Sequence, residues 1–88
     1  MNVHIIGGGN LGCAIALGIQ QYTTGNTITL TRRNTKPISN LAKYGINISS
    51  DNTNNIASAD IIILTVKPWQ IDAVLEEILP YLSDKIIA

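Results

Sequence analysis

Apolar residues in this chain come in short runs separated by turn residues, and the spacing within the runs alternates between two periods. Val3-His4-Ile5-Ile6 is a compact, mostly apolar run and predicts a buried strand over 3–6. Leu11, Ala14, Ile15, Gly18 and Ile19 then recur at helical spacing, which predicts a helix over about 10–21. Thr23-Thr24-Gly25-Asn26 is a turn cluster, and the β-branched run Thr27–Thr31 predicts a second strand.

Asn34-Thr35-Lys36-Pro37 places a capping side chain ahead of a proline suited to a first helical turn. Ile38, Leu41 and Ala42 supply an apolar face, and Gly45 stands where a helix ends. Ile46-Asn47-Ile48 alternates like a short strand, and 52–58 predicts a loop with one or two helical turns. Ile61-Ile62-Ile63-Leu64-Thr65-Val66 is the clearest strand in the chain, apolar on both faces as a central parallel strand is. Pro68 stops it. Ile71, Val74, Leu75, Ile78 and Leu79 mark a helix ending near Pro80, and 85–88 begins one more strand. The predicted order is therefore β-α-β-α-β-α-β-α-β. It implies an α/β fold, a Rossmann-like doubly wound parallel sheet in three α-β-α layers with right-handed crossovers. There is no internal repeat, low-complexity tract or linker, so 1–88 reads as one domain. The last strand pattern lacks the turn and helix that normally follow, so the expectation is a piece of a longer enzyme, or a shortened reading frame, truncated at the fifth strand.

Eighty-eight residues make a thin core, and with no Phe, one Trp and three Tyr that core is aliphatic. A formal net charge of zero argues against general nucleic-acid binding and against a basic membrane-surface patch. It leaves room for a local pair of cations. Cys13 has no partner for an internal disulfide, and no apolar run is long enough for a bilayer span or a secretory leader. The expected setting is cytoplasmic and reducing.

The candidate chemistry lies at the end of the first strand. Gly7-Gly8-Gly9-Asn10-Leu11-Gly12 leaves that strand and opens a helix, which is how a parallel sheet presents backbone amides to a pyrophosphate. Gly7 permits the tight turn, Gly9 lets the phosphates approach the backbone, and Gly12 lets the helix pack closely on the strand. At the end of the second strand, an NAD-selective site carries an Asp or Glu for the ribose hydroxyls; here the sequence is Thr31-Arg32-Arg33-Asn34. Guanidiniums bind a 2′-phosphate through paired charge-assisted bonds, so the expected cofactor is NADPH/NADP.

Other residues have plainer readings. His4 lies within a buried strand and is expected to be structural, and Cys13 to fill a small space under the glycine loop. For Lys67, contact with the cofactor and a solvated side chain at a proline-shaped strand exit both remain open. Trp69 is open between covering a pocket or a further domain and packing at a helix start. Asp72, Glu76 and Glu77 form a solvated helix face, and no His, Cys, Asp or Glu cluster has metal-ligand spacing.

Ile6-Gly7-Gly8-Gly9-Asn10-Leu11-Gly12, followed by Ala14-Ile15-Ala16 and Gly18, resembles the opening of pyrroline-5-carboxylate reductases. Thr31-Arg32-Arg33 is similar to the family's S/A-N-R, and Tyr44-Gly45-Ile46 to its Y-G-V. Asp60 with Ile61-Ile62-Ile63-Leu64 and Thr65-Val66-Lys67-Pro68-Trp69 is similar to its A-D-x-x-x-L-A-V-K-P-Q, and Leu79-Pro80-Tyr81-Leu82 also has a counterpart. The resemblance runs the length of the chain, and V-K-P is its most specific part. It implies the NADPH-binding domain of an oxidoreductase that reduces 1-pyrroline-5-carboxylate to L-proline in proline biosynthesis. It implies that residues 6–12 hold the pyrophosphate, that Arg32, Arg33 and Asn34 face the 2′-phosphate, and that Asn52 reaches a ribose. By the same resemblance Thr65, Val66, Lys67 and Pro68 line the nicotinamide side. The substrate is a small molecule held together with a C-terminal helical domain that these residues do not include, and the full-length protein is expected to be a homo-oligomer. Nucleic acid and membrane are not expected partners. Trp69 departs from the family's usual Gln or His, and residues 34–37 are sparser in charge than the family's second helix. With the second domain absent, cofactor binding with little turnover is expected. A related NADP-dependent oxidoreductase of the F420-linked or β-hydroxyacid type, and a non-catalytic NADPH-binding module, are the competing readings.

Overall fold

The computed structural model describes residues 1–53, 56–82 and 86–87. Five strands form in chain order: β1 Asn2–Ile6, β2 Thr27–Thr31, β3 Asn47–Ser49, β4 Ile61–Leu64 and β5 Ile86–Ile87. Helix α1 is Asn10–Tyr22 and α2 is Ile71–Ile78, with 3₁₀ segments at Lys36–Tyr44, Ile56–Ser58, Pro68–Gln70 and Leu79–Tyr81. The sheet is parallel throughout and runs β3-β2-β1-β4-β5. Strand order reverses beside β1, which pairs with β2 from Asn2↔Thr27 to Ile6↔Thr31 and with β4 from Val3↔Ile61 to Ile6↔Leu64. In open α/β sheets such a reversal opens a crevice at the carboxyl ends of the strands.

Alternation along β1 builds the two sides of the core. Val3 and Ile5 join Ile28, Leu30, Ile38, Leu41, Ile46 and Ala16 of α1 on one face. Ile6 joins Ile56, Ala59, Ile62 and Ile78 of α2 on the other. Each fully buried Ile or Leu contributes roughly 1.5–3 kcal/mol of transfer free energy. The three-layer, doubly wound expectation holds. On the second face, however, the apolar packing is confined to β1 and β4; beside β2 and β3 that face carries Thr27, Thr29 and Asn47 around a shallow cavity of about 210 Å³.

Several local expectations change. The segment expected to form an α-helix after the second strand is a 3₁₀ helix, Lys36–Tyr44. Ile38 and Leu41 are buried but Ala42 is exposed, so the buried positions recur every three residues, as 3₁₀ geometry requires. Asn34 still supports the start, its Oδ1 accepting the Lys36 N–H at 3.2 Å, and Gly45 ends the segment at φ 86°. In α1 the buried positions are Gly12 and Ala16, while Leu11 and Ala14 face out. The helix lies so close to the sheet that small side chains mark its inner line. β4 ends at Leu64 rather than at residue 66 because its partner β1 stops at Ile6 and turns away at Gly7. β5 pairs with β4 through Ile61↔Ile86 and Ile62↔Ile87; the rest of the strand expected over 85–88 lies outside the described residues.

Candidate functional site

The glycine loop is shaped by three separate constraints. Gly7 has φ 109°, a region L side chains rarely adopt, and its N–H closes the β1–β2 pairing by donating to the Thr31 carbonyl at 3.0 Å. Gly12 carries α1 over that turn: a Cβ there would lie 2.1 Å from the Gly7 carbonyl oxygen. At Gly9 a Cβ would meet no protein atom within 4 Å, although the residue lines a cleft. α1 starts after Gly9 with no capping side chain and no acid in its first turn. Its first amides and the positive end of its dipole are thus left without a protein acceptor, the arrangement that binds anions.

That cleft has a volume of about 380 Å³ and follows the carboxyl ends of β1, β2 and β4. It brings together Ile6, Gly7, Gly8 and Gly9 from the loop, Arg32 and Arg33 from the end of β2, Asn52, and Thr65, Val66 and Lys67 from the end of β4. Among the described residues no Asp or Glu lines it. Arg32 is half-buried and donates from Nη1 to the Gly8 carbonyl at 2.9 Å, which fixes its guanidinium against the loop with further N–H donors to spare. Gly8 is in turn closed in by Arg32 and Ile38: a Cβ there would lie 3.1 Å from Arg32 Cβ and 2.9 Å from Ile38 Cδ1. Arg33 is exposed.

Asn10, Leu11, Gly12, Asn34 and Pro68 do not line the cleft. Asn10 and Leu11 are exposed on the first turn of α1, and Leu11 is 63 % exposed. Gly12 is buried under the loop, Asn34 caps the 3₁₀ segment, and Pro68 opens the turn after β4. Thr65 reaches the cleft edge, but its hydroxyl serves the fold, pointing at the carbonyls of Gly7 at 2.6 Å and Ile6 at 3.0 Å. Cys13 sits where expected, its thiol 3.5 Å from the Gly8 carbonyl. Trp69 is 78 % exposed and so does not pack at the helix start.

Three lining residues escaped the sequence reading: Thr31, Gln70 and Val74. Gln70 accepts the Lys67 N–H at Oε1 (3.0 Å) and returns its own N–H to the Lys67 carbonyl (2.8 Å), so it holds the β4 exit in shape. A Gln three residues beyond the last extended residue is the available signal, and it was readable as a reciprocal cap. Val74 follows one helical turn later. Thr31 was hidden in a β-branched run.

Asn52 is held from two sides. Its Oδ1 accepts the Thr31 hydroxyl at 2.7 Å, and its carbonyl lies 2.9 Å from His4 Nε2. His4 is buried, with Nδ1 unpartnered among the described residues. Burial lowers its pKa below 6.5, against smaller opposing effects of the Asn52 carbonyl and the Asp51 charge. The ring is therefore neutral at physiological pH, and the carbonyl contact makes Nε2 the protonated nitrogen. Asp51 is exposed, and its pKa is lowered by the Thr53 hydroxyl and N–H. Among the described residues no helix is long and apolar enough to cross a membrane, and no group of three or more His, Cys, Asp or Glu could hold a metal ion.

A sheet of this order, with a glycine turn leading into a helix at its reversal point and a cleft free of acids, defines a dinucleotide-binding α/β domain. Residues 2–88 match the family described as NADP oxidoreductase, coenzyme F420-dependent; the chain belongs to that family and carries its NADP-binding domain. Among curated relatives, it is 40% identical over 80 residues to pyrroline-5-carboxylate reductase 2 of Dictyostelium discoideum, covering 88% of this chain and 27% of that protein. It is 30% identical over 90 residues to 2-dehydropantoate 2-reductase of Vibrio cholerae, covering 99% of this chain and 30% of that protein. Among solved structures, pyrroline carboxylate reductase of Plasmodium falciparum with NADP bound superposes with TM-score 0.80 at 28% identity, over 99% of this chain and 32% of that one. The chain thus spans about a third of the length of the relatives it matches.

Proposed function

We propose that this chain forms the NADPH-binding half of a reductase that acts on a cyclic imine, with 1-pyrroline-5-carboxylate as substrate and L-proline as product. The observation that carries the cofactor side is the single cleft that joins the Gly7-Gly8-Gly9 turn to Arg32 and Arg33 with no acid among its walls. In this reading the amides of the loop and of the first turn of α1 take the pyrophosphate. The pinned Arg32 guanidinium and the exposed Arg33 side chain take the 2′-phosphate. Asn52 contacts the ribose, and Val66 and Lys67 border the nicotinamide end. The bound nicotinamide supplies a hydride; the residues present here bind it and orient it, and none of them is assigned as a proton donor. The imine substrate is supported by the similarity to pyrroline-5-carboxylate reductases over most of the chain. The rest of the substrate pocket falls to the portion of such proteins outside the similarity.

A second reading, reduction of a keto acid, is supported by the 2-dehydropantoate reductase match, which covers nearly all of this chain. Assaying the full-length protein against pyrroline-5-carboxylate and against 2-keto acids, with NADPH consumption as readout, separates the two. Oxidation of NADPH by the imine alone supports the first; oxidation by keto acids alone replaces it with the second. Isothermal titration of the 88-residue chain with NADPH and NADH tests the cofactor side. Tighter and more salt-sensitive NADPH binding is expected, and equal affinities refute the roles of Arg32 and Arg33.

A further inference from the structure

His4, a buried histidine in the middle of β1, has no part in the cofactor contacts given above. A histidine in an otherwise apolar parallel strand loses hydration at both nitrogens, and among the described residues one of them finds a protein partner, the Asn52 carbonyl 48 residues further along the chain. Asn52 lies outside regular structure, in a turn tied to β3 by Ser49 Oγ, which accepts the Asp51 N–H at 3.0 Å, and closed by Thr53 N–H and Oγ1 to Asp51 Oδ1; none of these bonds reaches Asn52 itself. Among the described residues two bonds hold Asn52 itself: His4 to its main chain and Thr31 to its Oδ1. They come from adjacent strands of the same sheet. With Oδ1 accepting from Thr31, Nδ2, a pure donor, is the end of the amide with no partner among the described residues, and Asn52 lines the cleft.

We propose that His4 is a positioning residue for Asn52: with Thr31 it clamps both the main chain and the side chain of Asn52, so that a fixed pair of N–H donors meets an acceptor oxygen on the ribose of the nucleotide. The inference rests on the cofactor reading given above. It assigns the direction of the bond, with protein donating and ligand accepting, and it places the source of the alignment two residues before the end of β1, at a position that does not itself line the cleft.

The test is a double-mutant cycle on the 88-residue chain, with NADPH affinity measured at a temperature where circular dichroism shows each variant folded. His4→Phe keeps the ring volume and removes the donor; it is expected to weaken NADPH about two- to tenfold, the range of one net hydrogen bond. His4→Gln, whose amide can donate to the same carbonyl, is expected to restore most of that loss. In an Asn52→Ala background His4→Phe should have no further effect. A His4→Phe loss of equal size in both backgrounds overturns the proposal and leaves the cofactor reading standing, because a merely structural role would cost the same with or without the Asn52 amide. Absence of NADPH binding by the wild-type chain overturns both. If His4→Phe does not fold, ¹⁵N shifts of the wild-type ring decide: an Nε2-protonated neutral imidazole supports the clamp, and an Nδ1-protonated one overturns it.

Discussion

The two ends of the sheet are both polar, and they differ in how that polarity is matched. At the amino end of the strands, Asn2, Thr27, Thr29 and Asn47 surround the smaller cavity, and the chain meets its own polar groups there. The Met1 ammonium bonds the Gly25 carbonyl, the Asn2 N–H bonds the Asp60 carboxylate at 2.7 Å, and Asn2 Nδ2 bonds the Ser58 carbonyl at 2.8 Å. At the carboxyl end the balance is reversed. Among the described residues the cleft is lined by the loop glycines, two guanidiniums, the Lys67 ammonium and the side-chain amides of Asn52 and Gln70, with no carboxylate to meet them. Polarity by itself does not mark a site; an unmatched surplus of one hydrogen-bonding sense does.

The sharpest way to break this contrast is within the glycine loop itself. Gly12→Ala puts a methyl against the Gly7 carbonyl, and should cost about 3 kcal/mol of stability by urea denaturation, or prevent folding. Gly9→Ala, which meets no protein atom, should stay within about 1 kcal/mol of wild type while weakening NADPH about tenfold or more. If both variants lose stability alike, the loop is a packing device and not a cradle. Next in size, Arg32→Ala with Arg33→Ala should weaken NADPH about ten- to a hundredfold, leave NADH nearly unchanged and flatten the salt dependence in calorimetric titrations.

A smaller effect comes from pH. The folded chain holds His4 below its ordinary pKa of 6.5, so the unfolded chain takes up the proton first as pH falls. Stability should be full above about pH 6.5, decline below it, and level off once the folded ring also titrates. Thermal melts of wild type and His4→Gln across this window should converge at low pH, and an unchanged wild-type slope in His4→Gln would show that another group titrates. Smallest of all, Thr27→Val at the amino end should leave NADPH affinity unchanged and shift stability by no more than about 0.5 kcal/mol. A loss of affinity there would erase the distinction between the two ends.

How much of this could be read in advance follows the range of the interactions. β1, β2 and the turn between β1 and α1 depend on neighbours in sequence, and Val3-His4-Ile5-Ile6 with the glycines states them openly. The 3₁₀ form of Lys36–Tyr44 was not legible, because Ile38 and Leu41 are three apart and satisfy both helical periods; only the exposed Ala42 separates them. In α1, Ile15 and Ile19 of the predicted periodic set pack against the core, but the buried positions are Gly12 and Ala16, the residues a hydrophobicity pattern weighs least. In the cleft, Arg32 and Arg33 were legible from charge and position. The use of the Thr65 hydroxyl, and of His4 and Thr31 around Asn52, depends on contacts across strands that no local pattern encodes.

The Thr65 hydroxyl, which reaches the carbonyls of Ile6 and Gly7, has a consequence for how the domain comes into being. These bonds join positions 58 and 59 residues apart. The nucleotide cradle, though written in the first dozen residues, therefore cannot acquire its working shape during synthesis until β4 has left the ribosome and docked beside β1. A nascent chain that ends before that point has the motif without the receptor, and any help that the ligand gives to folding arrives only at the last stage of assembly.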